Sequence, residues 1–111
     1  MSIRQEKVAE LLRRDLSVIF QQKGSLWFNG LFITVTQVRV APDLGLAKVY
    51  LSFMAVQDKK KALETVKLEG WRVRKELADK IGKQVRVIPE LNFYIDDSLD
   101  HFEAVEKALK S

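Results

Sequence analysis

Cysteine is absent from the 111 residues, which rules out disulfides and thiol chemistry and permits a cytosolic home. The chain has a single histidine, His101, and no HExxH, GxSxG or phosphate-loop pattern to assemble a hydrolase or a nucleotide site. Long apolar runs are missing too. The N-terminal MSIRQEKVAELLRRDL carries charges throughout, so it reads as neither a signal peptide nor a membrane span. Repeats, low-complexity tracts and interior linkers are also absent. The length fits one domain, residues 1–111, with a modest core.

Charge is present but uneven. Net charge is +4, with 47% hydrophobic and 31% charged residues, the balance of a soluble globular chain. Residues 59–86 hold ten Lys/Arg against four Asp/Glu, whereas residues 90–111 hold two Lys against six Asp/Glu. A basic middle beside an acidic tail suggests one face for a polyanion and another turned away from it. Such a lysine run also serves simply to keep a small domain soluble.

Periodicity supplies the elements. Residues 3–22 space Ile3, Val8, Leu11, Leu12, Leu16, Ile19 and Phe20 as one helical stripe, with Glu10 and Arg14 at i,i+4. KGSLWFNG (23–30), bounded by glycines, reads as a loop whose Trp27 and Phe28 plug back onto that helix. LFITVTQVRV (31–40) and AKVYLSFM (47–54) are strand-like. In the second, buried Val49, Leu51 and Phe53 alternate with Lys48, Tyr50 and Ser52. Pro42, Asp43 and Gly45 between the runs make a turn, so the pair is expected to be an antiparallel hairpin.

Residues 58–81 predict helix broken at Gly70. Asp58 is the expected N-cap, Ala62, Leu63 and Val66 the first buried stripe, Val73, Leu77 and Ile81 the second, and Gly82 the C′ residue. Arg72, Lys75 and Asp79 point away from that stripe, while Arg74 lies near it and must snorkel or find a partner. QVRVIPELNFYI (84–95) predicts the last strand, with Val85, Val87, Leu91, Phe93 and Ile95 on one face and Pro89 at an edge or bulge. From residue 98 Leu99, Phe102, Val105, Ala108 and Leu109 predict a final helix. The expected fold is therefore α+β, in the order α-β-β-α-α-β-α, with helices packed on one face of a three-stranded sheet.

Asp96 and Asp97 raise the question of a carboxylate pair. Neither cysteine nor a second histidine supports it, and the pair falls where strand gives way to helix. Asp97 or Ser98 there caps the free N–H groups of the first turn, with Asp100 favouring the helix dipole and His101 on the helix surface. A magnesium site built from carboxylates and water is the weaker alternative.

PELNFYIDDS, FITVTQVRVAPDLGLAKVYLS and VAELLRRDLSVIF, taken together and in the same order throughout from about residue 4 to 109, resemble ribosome-binding factor A, a bacterial assembly factor of the small ribosomal subunit. The resemblance implies a non-enzymatic type II KH-like domain that binds 16S rRNA in the immature subunit and assists maturation of its precursor. It implies cytoplasmic location, a monomer and no cofactor, metal or membrane. KH domains grip the nucleic-acid backbone with a GxxG loop. This sequence has none, and the family uses an Ala-x-Gly interhelical kink instead, represented here by LEG with Leu68 in place of alanine and Gly70 as the kink glycine.

On this reading the expected phosphate contacts are Lys67, Arg72, Arg74, Lys75, Lys80, Lys83 and Arg86, with Lys7 and Arg14 as a second patch. Lys59 to Lys61 serve equally well as RNA contacts or as a solvated helix start. A rival reading is a protein-interaction module docking through its sheet face, for which exposed Tyr50 and Tyr94 are suited.

Overall fold

The computed structural model describes residues 2–85 and 87–96. Arg86, the proposed cap at Asp97 and Ser98, and the expected final helix with Asp100 and His101 lie outside the described residues. The elements are α1 (Ile3–Trp27), β1 (Phe32–Val40), β2 (Leu46–Met54), α2 (Lys59–Leu68), α3 (Gly70–Ile81) and β3 (Glu90–Ile95). The predicted order is met through its first six elements.

The first helix opens on a capping box. Ser2 Oγ accepts from the Gln5 amide, and the Gln5 side chain accepts from the Ser2 amide. Gln5 is also buried and donates through Nε2 to the Val40 carbonyl, which fixes the helix start against the end of β1. Ala9, Leu12, Leu16, Ile19 and Phe20 form the buried stripe. Ile3 is exposed instead, because it lies in the capping turn, and Val8 and Leu11 flank the core. Glu10 pairs with Arg13 rather than Arg14, at 2.6 Å.

Helix α1 does not stop at residue 22. It runs through Gly24 to Trp27 and ends in a Schellman turn, with Asn29 and Gly30 at positive φ and the Gly30 N–H donating to the Ser25 carbonyl. A glycine inside a helix costs ~1 kcal/mol. Continuing past it delivers Phe28 to a fully buried position stacked on Phe20, 5.5 Å between ring centroids. Burying a side chain of that size stabilises by roughly 1.5–3 kcal/mol, so the helix wins over the loop.

The three strands lie in the order β1-β2-β3, the first pair antiparallel and the second parallel. Ile33 and Val35 face inward on β1, then a bulge at Thr36 shifts the alternation so that Val38 and Val40 also face inward. Ala47, Val49, Leu51 and Phe53 of β2 and Phe93 of β3 complete the inner face, on which the helices pack. In the hairpin turn the Gly45 N–H donates to Asp43 Oδ1, and Leu44 takes the positive φ.

The crossover helices follow their predicted stripes except at Leu63, which is only partly buried at the edge of the core. Asp58 accepts from the Lys61 amide as N-cap, and Ala62, Val66, Val73, Leu77 and Ile81 are buried. Gly82 differs from expectation. It is the C-cap, in right-handed rather than left-handed conformation. β3 is also shorter than expected, starting at Glu90 because Pro89 has no N–H to give a ladder. Pro89 is fully buried just before it, and Val87, at 62% exposure, is off the inner face.

Candidate nucleic-acid interface

The break between α2 and α3 falls at Glu69, and Gly70 begins the second helix. Gly70 does not take a positive φ, so conformational freedom is not what requires glycine here. Close approach is the reason. A Cβ on Gly70 would meet Cε2 of Phe93 at 3.0 Å. Phe93 in turn packs edge-on against Phe20, 6.2 Å between centroids. The helix junction is thus lowered onto the edge strand, and the two walls leave a cleft of about 420 Å³.

Lys67 and Arg74 line this cleft from the helices, and Asn92 and Tyr94 line it from β3. Trp71 stands at its rim with 61% of its surface exposed. Glu90 contributes one carboxylate. The arrangement joins cations, an amide and two aromatic rings in an open groove along a strand edge, which is suited to a charged, planar ligand. Among the described residues no group of three or more His, Cys, Asp or Glu is placed to hold a metal ion. No helix among them is long and apolar enough to cross a membrane.

The expected site residues separate in the structure. Lys67 and Lys75 are exposed on α2 and α3, either side of the junction. Arg72 is exposed but engaged: its Nε lies 2.9 Å from Glu69 Oε2, and its guanidinium carbon sits 5.2 Å from the Trp71 ring centroid. Arg74 finds the partner its position demanded, donating from Nη2 to the Ile88 carbonyl at 2.8 Å and from Nε to the Pro89 carbonyl at 3.2 Å. It therefore clamps the approach to β3 as well as lining the cleft. Lys80 is exposed in the last turn of α3, ten residues from Gly70 and so ~15 Å along the axis, and Lys83 is exposed in the turn that follows. Lys7 and Arg14 are exposed on α1. Arg86 is outside the described residues.

Of the Asp96 and Asp97 pair, Asp97 lies outside the described residues and Asp96 is engaged within the sheet. Its amide donates to the Leu51 carbonyl, and its carboxylate accepts from the Thr36 hydroxyl, tying the end of β3 to the bulge of β1. Sequence reasoning missed Trp71. The available signal was its place two residues before Val73, on the opposite side of α3 from the buried stripe, where a large aromatic has no core to join.

Fold and cleft together define a small α+β domain with a cation-lined groove along its edge strand. The family model described as ribosome-binding factor A matches residues 4–109. The chain belongs to the ribosome-binding factor A family. Among its relatives, the ribosome-binding factor A of Chlorobaculum parvum is 45% identical over 112 residues, covering 100% of this chain and 92% of the relative. That of Cytophaga hutchinsonii is 42% identical over 108 residues, covering 97% and 81%. The crystal structure of ribosome-binding factor A from Thermus thermophilus is similar with a TM-score of 0.68 at 22% identity, covering 82% of this chain and 94% of that one. A homology model of the Thermus thermophilus factor, fitted into a cryo-EM map of a 30S complex, gives 0.64 at 24% identity, covering 80% and 91%.

Proposed function

We propose that this chain is a ribosome biogenesis factor, a single type II KH-like domain that binds the 16S rRNA of the immature small subunit and assists late maturation of its precursor. It acts in the cytoplasm as a monomer and without a cofactor. The observation that carries the reading is the cleft at the Gly70 junction, with Lys67 and Arg74 on its helical wall and the open edge of β3 opposite. Lys75 and Arg72 extend the positive surface along α3, Lys80 and Lys83 continue it toward the far end, and Arg86 belongs to the proposed contact set. Lys7 and Arg14 form the second patch. Family membership supports the partner, as does the Thermus relative fitted into the map of a 30S complex.

Sedimentation of cell extract tests this directly. The protein should travel with free small subunits rather than whole ribosomes, and its binding should fall steeply as salt rises, because phosphate neutralisation releases counterions. Binding that is indifferent to salt would instead favour a protein partner on the sheet face.

A further inference from the structure

The face of the sheet turned away from the helices is ordered by register. Arg39, Lys48 and Asn92 stand opposite one another across the three strands, and so do Gln37, Tyr50 and Tyr94. The rings of Tyr50 and Tyr94 are stacked, 5.5 Å between centroids and 29° between planes. Each ring spends one face on the other. Tyr50 sits in the central strand and is half-buried, but Tyr94 stands on the edge strand, is 39% exposed and lines the cleft beside Lys67 and Trp71. The two-ring stack therefore ends on the edge strand that borders the cleft, with Tyr94 as its exposed member.

An aromatic stack with an exposed end accepts one more flat ring, and every nucleobase has such a face. Cations flank the position, with Lys67 across the cleft and Lys48 and Arg39 one row along the sheet. A duplex hides its base faces within its own stack, so only an unpaired strand can use this end. The tie between Asp96 and Thr36, with the bulge beside Tyr50, braces the row that carries the rings.

We propose that the β3 edge binds single-stranded RNA, an unpaired base extending the Tyr50–Tyr94 stack while the flanking phosphates meet Lys67 and Lys48. This rests on the cleft being an RNA site and names the form of RNA it takes.

The test is fluorescence anisotropy of the full chain with labelled oligo(U) and oligo(A) octamers, against an RNA duplex of equal length. Tyr94→Ala should weaken single-strand binding about tenfold, ~1.4 kcal/mol, and leave duplex binding within about twofold. Tyr94→Phe keeps the π face and should bind as the parent, whereas Tyr94→Leu keeps apolar area without it and should bind as Tyr94→Ala. If the alanine variant melts early, the phenylalanine–leucine contrast decides, and equal affinities overturn the proposal. Unchanged single-strand binding in Tyr94→Ala also overturns it, and is what a protein-docking face would give. Charge reversal at Lys67 and Lys75 separates the two levels. If it weakens both ligands while Tyr94 variants weaken neither, stacking fails and the RNA cleft stands. If it weakens neither, the cleft reading itself fails.

Discussion

A β-carbon at position 70 would gain backbone propensity and lose packing. Helix preference favours alanine over glycine by at most ~1 kcal/mol, and less at the first residue of a helix. Against it stands the 3.0 Å contact with Phe93, a buried ring already braced by Phe20. Overpacking of this kind costs ~1–3 kcal/mol. Gly70→Ala should therefore lower the thermal midpoint by the equivalent of about 1 kcal/mol, and Phe93→Leu in the same chain should return part of the loss. A stabilised Gly70→Ala would show that the ring has room. Arg74 gives a second contrast, since two donors on one rigid fork reach the carbonyls of Ile88 and Pro89. Arg74→Lys keeps the charge and loses the fork. It should destabilise by ~1 kcal/mol in urea melts, and any weakening of RNA binding should track that loss. Equal stability with weaker RNA binding would make Arg74 a phosphate contact only. On α1 the Arg13 hydrogen bond holds the Glu10 carboxyl below the usual carboxylate range. Because the folded value is the lower one, the pair's contribution is present above the unfolded value and fades as pH falls through the folded one. Arg13→Gln should raise the Glu10 midpoint measured by NMR.

Elements show why some of the fold was legible and some was not. The hairpin, the helix break and the stripes Ala62–Val66 and Val73–Leu77–Ile81 follow from local periodicity, which burial imposes directly. The end of α1 depends on a tertiary contact, Phe28 on Phe20, and so Gly24 misleads as a breaker. The cleft depends on β3 lying parallel to β2, a pairing that no local pattern reveals. The bulge is intermediate. Its trace is the spacing of Ile33, Val35, Val38 and Val40, where alternation slips by one at Thr36. Removing Thr36 should therefore still allow folding, since the remaining residues alternate regularly and keep Ile33, Val35, Val38 and Val40 inward, at the cost of the bulge and its hydroxyl. Thr36→Val keeps the register and removes only the hydroxyl to Asp96 and Tyr50. It should lower stability by about 1 kcal/mol in urea melts, with circular dichroism unchanged.

For the whole molecule the proposed function makes where the positive charge sits matter more than how much there is. Reversing Lys67 and Lys75 removes two exposed cations flanking the Gly70 junction, and the fold should survive because exposed substitutions usually change stability by within ~0.5 kcal/mol. Affinity for small-subunit particles should drop and the salt slope become shallower by roughly one unit per lost phosphate contact. Reversing Lys107 and Lys110 changes the net charge equally and is the matched control. Equal losses from both would mean that overall charge alone governs binding.

The parallel pairing of β2 with β3 also sets an order in time. Leu46 meets Glu90, 44 positions further along the chain, and this contact closes over both crossover helices. The antiparallel hairpin, by contrast, closes over a five-residue turn, Ala41 to Gly45. Loop closure favours the short connection first and the long one last. One wall of the cleft belongs to that late-arriving strand. During refolding the helical signal should return before the ability to hold RNA, and ligand capture becomes a clock for the final docking step.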